Sequence, residues 1–395
     1  MIVGIDNITP GTSTSSSLSV GGMRPYVQDL LLGLPPLFPG WQFKFFTPAW
    51  NEPFETRGTN VEVVVCDEVS KSRLRRVWFE QTRLPRLIAA HKVDLWLGTC
   101  NYLPLLAACR TFLIVQSHQF FTNPEAFGSL RRFFLQWVVT RSVELADRTA
   151  VQCEDAKRTL LKYVDMPADS ISIVYNRLVD VNVDVNVPDA APGLSDLIGC
   201  DRPYLLYVSG LYPFKNHARL IEAFARIRPR FADLALVLAG GGPDRDLRSE
   251  AARHGIQNDV IFLGKVPQPA IPVLYRNALA SVFPSLEETF GLPVLEAMSL
   301  DCPVLTSNRS SMAEIAGDAA VLVDPESVDE LAEGMIRLLT NDSERQKQIE
   351  RGRARCRYFT KEKTIRSLAA ALESVANLEP VQTGLIPGVP IRPAA

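Results

Sequence analysis

Short apolar runs recur along this chain, and segments with helical spacing separate most of them. In the first half the runs fall at 2–6, 43–47, 61–66, 95–98, 111–116, 148–152 and 171–175. In the second half they fall at 204–208, 234–239, 260–263, 278–283, 304–306 and 320–323. Uninterrupted apolar runs of this length read as buried strands. Helical patterns lie near 217–228, 244–254, 292–299, 312–316, 328–339 and 343–356. A Ser/Thr/Gly-rich stretch at 9–22 precedes a helix-forming segment, 23–33, which Gly33 is expected to stop. The segment 180–193 is rich in Val, Asn, Asp and Pro, has no helical period, and reads as a linker. The alternation predicts an α/β protein with two Rossmann-like, doubly wound parallel-sheet domains. They cover 1–185 and 201–358, with the linker at 186–200. Ligands of such domains sit at the carboxyl ends of the strands.

Composition narrows the class. A chain of 395 residues supports two or three domains with cores of their own. It is 47% hydrophobic and 22% charged, as globular proteins are, and a net charge of -2 argues against a general nucleic-acid binder. Seven scattered cysteines with no Cys-x-x-Cys pair point to reduced thiols in a cytosol. Four histidines show no metal-ligand spacing. The first cation is Arg24, so no secretory signal is read, and the uncharged run 95–109 is too short and polar to span a bilayer. The tail 377–395 is Pro-rich, almost uncharged and expected to be disordered.

The most informative stretch runs from Pro284 to Met298. An apolar strand stops at Pro284, the chain turns through Glu287, Glu288 and Gly291, and a helix restarts with Pro293 in its first turn. Glu288 and Glu296 have seven residues between them. A helix rises about 1.5 Å per residue, so both carboxylates can line one cleft wall. Between them lie Phe290 and the backbone N–H groups of Gly291, Leu292 and Val294, read as unpaired donors for an anion. Two acids flanking a helix start suit a sugar, a phosphate and a ribose held in a row.

This stretch closely resembles the Glu-x7-Glu signature of the retaining glycosyltransferases of family 4, which have the GT-B fold. The resemblance continues through 301–307, 313–320 and 322–325, and covers 204–360 well and 118–180 more thinly. It implies that Glu288 holds the transferred sugar and Glu296 the ribose. Lys215, in the turn Pro213-Phe214-Lys215-Asn216, would neutralise the departing diphosphate, with Asn216 beside it. His118, after an N-domain strand, would face the sugar and the acceptor. Gly21 and Gly22 match the family's N-terminal glycine loop, and Val266 lies in a loop whose backbone would contact the base. A helix at 359–376 would cross back onto the N-terminal domain.

Two features depart from simple expectation. Family members usually pair the lysine with an arginine, but those positions hold Gly210 and Phe214 here; Arg177, near the hinge, is a weak substitute. Asp244-Arg245-Asp246 looks like a metal-binding Asp-x-Asp, yet it opens a helix, where acids favour the N-terminus, so no metal is expected.

The expected activity is retaining transfer of a sugar to a glycan or lipid-linked acceptor in bacterial polysaccharide synthesis. The segment 308–314 and the Lys215 turn look most like exopolysaccharide and lipopolysaccharide mannosyltransferases, so GDP-mannose is the first donor. A UDP-sugar transferase, or a non-catalytic nucleotide-sugar-binding protein of the same fold, is the alternative. Seven Lys/Arg against one acid, Glu80, in the stretch 71–92 suggest a cytoplasmic protein with peripheral contact on an anionic inner membrane face.

Overall fold

The computed structural model describes residues 1–8, 23–51, 54–56, 58–178 and 198–378. Gly21 and Gly22, most of the linker, and the tail beyond residue 378 lie outside the described residues.

The first half forms a seven-stranded parallel sheet. Its strands are β1 (Ile2–Asp6), β2 (Gln42–Pro48), β3 (Val61–Cys66), β4 (Leu95–Gly98), β5 (Arg110–Ile114), β6 (Arg148–Val151) and β7 (Ile171–Ile173), in spatial order β3-β2-β1-β4-β5-β6-β7. The second half forms a six-stranded parallel sheet of β8 (Tyr204–Val208), β9 (Ala235–Ala239), β10 (Val260–Gly264), β11 (Ala280–Phe283), β12 (Val304–Ser307) and β13 (Val321–Val323), ordered β10-β9-β8-β11-β12-β13. Every residue of β8, β9, β11 and β12 is buried, which explains why their sequences are uncharged and mostly apolar. In each sheet the strand order reverses once, between β1 and β4 and between β8 and β11. That reversal opens a crevice at the carboxyl ends of the strands.

The helix Met23–Leu37 runs past Gly33 rather than ending there. Gly33 is a packing position: a Cβ on it would lie 2.8 Å from Ile365 Cγ1. Ile365 belongs to the helix Lys361–Ala376, which returns from the second sheet to the first. Its Leu368, Leu372 and Val375 are fully buried in one cluster with Val27, Leu30 and Leu31 of Met23–Leu37. Arg110 at the start of β5 binds the end of this helix, donating to Leu378 O at 2.6 Å. The helix Ile271–Asn277, which the sequence analysis does not place, begins with Pro272 in its first turn, where the missing N–H is harmless. All seven cysteines are unbridged.

Candidate active site

The loops leaving β8 and β11, the two strands at the crevice, are stitched to each other. Leu286 N donates to Phe214 O at 2.8 Å, Ser285 Oγ to the same carbonyl at 3.2 Å, and Asn216 Nδ2 to Pro284 O at 3.1 Å. Asn216 takes a left-handed φ of 63° and its amide also reaches Pro325 O at 2.6 Å, so its side chain builds the loop that presents Lys215. Tyr207 OH fixes that loop from below, donating to Lys215 O at 2.7 Å. The Lys215 ammonium ion-pairs with the Glu288 carboxylate and lies 5.2 and 5.5 Å from the centres of the Phe214 and Phe283 rings. Glu288 is itself held by its backbone. Its N–H donates to Ser310 Oγ at 3.2 Å, and its carbonyl accepts from Ser310 Oγ at 2.8 Å and Ser311 Oγ at 2.9 Å.

Downstream, Gly291 adopts φ 96° and starts the helix Leu292–Ser299. Val294 N donates to Gly291 O at 3.0 Å, which corrects the expectation that this N–H is open to an anion. Phe290 is buried, 5.8 Å from the Phe359 ring, and packs where the two halves of the chain meet. Glu296 is 1% exposed, and among the described residues neither carboxylate oxygen finds a hydrogen-bond partner. Burial alone pushes its carboxyl up to about 7. A buried carboxylate with nothing to accept from is costly, and proteins retain one where a ligand supplies the donors.

The glycine triplet after β9 is a matter of close approach. A Cβ at Gly240 would fall 1.6 Å from Ser209 O, so the β9 loop can lie against the β8 loop only without a side chain. Lys265 lays its carbon chain over Gly241, and the neighbouring Val266 is buried. His217, next to Asn216, stacks on Tyr207 with ring centres 4.5 Å apart, and burial followed by the charge of Lys215 lowers it to about 3. It is a neutral imidazole under the lysine.

Loops of the first sheet close over this wall. His118, 2% exposed after β5, places Nε2 3.3 Å from Glu287 Oε1. Asn123 Nδ2 donates to the other Glu287 oxygen at 3.0 Å, and Thr122 Oγ1 also donates to this carboxylate. Glu314 makes a second bridge. It accepts from the N–H groups of Glu154 and Asp155, each at 3.0 Å, and from Tyr175 OH at 2.9 Å. The sequence reading assigned Glu287 and Glu314 no role of their own. Their partners lie more than 130 residues away in the chain, beyond the reach of any local pattern.

Two other candidates are spent elsewhere. Arg177 is buried and ion-paired with Asp29, so its guanidinium serves the first sheet's helix layer. Asp244 stands just before the helix Arg245–Arg253 and accepts from Arg248 Nε at 2.7 Å. Among the described residues no group of three His, Cys, Asp or Glu side chains gathers to hold a metal ion.

Comparisons with known proteins agree with this geometry. The family profile for glycosyl transferases group 1 matches residues 197–355, and that for glycosyltransferase family 4 matches 20–178. The chain is 29% identical over 278 residues to O-antigen chain mannosyltransferase B of Escherichia coli, covering 68% of this chain and 71% of that protein. Among solved structures, sucrose-phosphate synthase of Thermosynechococcus elongatus superposes with a TM-score of 0.70 at 19% identity, over 95% of this chain and 98% of its own. HepE of Anabaena, solved with UDP-glucose, gives 0.65 at 19% identity, over 94% and 99%. Two doubly wound sheets meeting loop to loop across a crevice are the GT-B architecture, and this is a glycosyltransferase of that class. The chain belongs to glycosyltransferase family 4.

Proposed function

We propose that the protein transfers mannose from GDP-mannose, with retention of configuration, to a glycan or lipid-linked oligosaccharide acceptor in bacterial polysaccharide synthesis. The observation that carries the donor part is Glu296, buried and unpartnered one helix turn and a loop beyond the Lys215–Glu288 pair. Ribose hydroxyls are the donors its two oxygens lack. Lys215 then exchanges Glu288 for the diphosphate, and Glu288 turns to the hydroxyls of the sugar. As the glycosidic C–O bond to the diphosphate breaks, Lys215 and the start of the helix Leu292–Ser299 stabilise the charge that develops on phosphate. The departing phosphate oxygen takes the proton of the acceptor hydroxyl as the new C–O bond forms on the same face. His118 lines the acceptor side, with the Glu287 carboxylate beside its ring.

Likeness to the O-antigen chain mannosyltransferase favours mannose; a UDP-sugar is the second donor reading, supported by fold likeness to a protein solved with UDP-glucose. The lipid-linked acceptor places the protein in the cytoplasm, at the inner face of the membrane. Lys215 and the helix start supply the electrophile, so turnover should proceed in EDTA, and more than a tenfold requirement for manganese would overturn that part. A thermal-shift panel of GDP-, UDP-, ADP- and dTDP-sugars tests the donor, because a ligand raises the melting temperature by mass action. GDP-mannose is expected to give the largest shift, and a larger shift with UDP-glucose would replace it.

A further inference from the structure

The first sheet carries an exposed surface that no part of the sugar chemistry uses. On the helix Ser129–Leu145, Leu130, Phe133 and Trp137 are 89%, 71% and 51% exposed and fall on one stripe. On the helix Arg73–Thr82, Leu74 and Trp78 are 82% and 58% exposed, one turn apart. Segment 102–105 holds the two helices together. Tyr102 OH donates to Glu80 Oε2 at 2.7 Å, with its ring 6.3 Å from Phe134, and Leu103 N donates to Ser142 Oγ at 2.9 Å. Leu106, 71% exposed, follows on the same segment.

Charge tells what covers this surface. Among the described residues Arg73, Arg75, Arg131 and Arg132 find no ion-pair partner, and neither helix has an acid in its first turn. Arg131 lies close enough to Arg73 that, after burial, this neighbour's charge helps lower its pKa. Cations at helix N-termini, and next to each other, are unfavourable until something anionic meets them. A second copy docking by two-fold symmetry would bring two clusters of arginines together, which disfavours the isologous dimer. Protruding Leu, Phe and Trp ringed by arginine suit the interface of a bilayer, where the apolar tips enter and the guanidinium groups stay with phosphate.

We propose that this two-helix face docks the protein on an anionic lipid bilayer by inserting Leu130, Phe133 and Trp137, with Leu74 and Trp78, between headgroups. It deepens the lipid-linked-acceptor reading and rests on it for its purpose. Gln136 on the same helix donates to Phe120 O at 2.9 Å, in the short helix Gln119–Thr122 whose Thr122 meets Glu287 across the cleft. The docking face is thus one helix thickness from the acceptor wall. The structure also removes Arg76 from the basic stretch, because it is buried beside Glu80 at 3.8 Å and belongs to the core.

Sedimentation with vesicles tests this on the full chain without donor or acceptor. Binding is expected on equimolar phosphatidylglycerol and phosphatidylcholine, absent on phosphatidylcholine alone, and weakened as the screening length falls from about 10 to about 3 Å between 0.1 and 1 M salt. Reversal R73E/R75E/R131E should weaken binding by about fivefold per residue or more, and L130S/F133S/W137S should abolish it. Both variants must keep the far-UV circular dichroism and the donor-induced thermal shift of the wild type. Equal sedimentation of all three proteins, no preference for phosphatidylglycerol, or a dimer dispersed by L130S/F133S/W137S would overturn the proposal. A lost donor shift with intact vesicle binding would instead overturn the donor reading.

Discussion

Glu296 works against the stability of the empty protein. Its carboxyl titrates at about 7 in the fold against 4.5 ordinarily, so between these values the folded state holds a proton that the unfolded state releases. Stability from this group therefore falls as pH rises from 4.5 to about 7, by about 3 kcal/mol, and stays low above that. Glu296→Gln is expected to raise the melting temperature of the free protein at pH 8 and leave it nearly unchanged at pH 5, as calorimetry can show. Under the proposed assignment donor binding has the opposite slope, because ribose hydroxyls donate to the ionised form. Affinity should rise through pH 7 in the wild type and lose that dependence in the variant, measured by isothermal titration. At pH 8 the loss should be about ten- to a hundredfold, the value of a charged hydrogen bond of roughly 1.5–3 kcal/mol. Under the same assignment Glu288→Ala removes a contact to the sugar, so its effect should fall on kcat more than on KM. Equal effects of both changes on donor affinity would refute this division of roles.

The elements around the site were legible to different depths. Strand ends and the Lys215 and Glu288 loops could be read because apolar runs and Gly/Pro punctuation are local. The helix Met23–Leu37 was cut short at Gly33 because the reason for a glycine there, Ile365, lies at the other end of the chain. The bridges made by Glu287 and Glu314 were invisible for the same reason. Glu314 gives the helix Glu154–Leu160 acceptors for two N–H groups that its own turn cannot satisfy. Burial, then the Glu314 carboxylate, push Tyr175 upward, so its hydroxyl remains a donor at any physiological pH. Glu314→Ala removes all three bonds and should favour the open cleft. The expected signs are a larger radius of gyration in solution scattering and a fall in kcat/KM on the order of tenfold. An unchanged radius and rate would mean that Glu287 and packing close the cleft unaided.

At the scale of the whole molecule, the chain crosses from the first sheet to the second and comes back. The returning helix buries Ile365, Leu368, Leu372 and Val375 in the first sheet's core. At roughly 1.5–3 kcal/mol per buried side chain, that contribution is comparable to the 5–15 kcal/mol that holds a typical domain folded. Removing residues 361–378 should therefore unfold the first half while the second keeps its own sheet. Limited proteolysis would then leave a resistant fragment beginning near residue 198. Gly33→Leu should mimic part of this, since Ile365 occupies the space a side chain needs. A truncated protein with an intact, protease-resistant first half would show that the returning helix is dispensable.

That same returning helix orders events during synthesis. Domains usually fold as they leave the ribosome, the N-terminal one first. Here the first sheet is translated early but receives Ile365 through Val375 only after the second sheet has been made. The first sheet is thus the last part to be completed, and a nascent chain released before residue 361 holds the Lys215 and Glu288 loops with no stable wall opposite them.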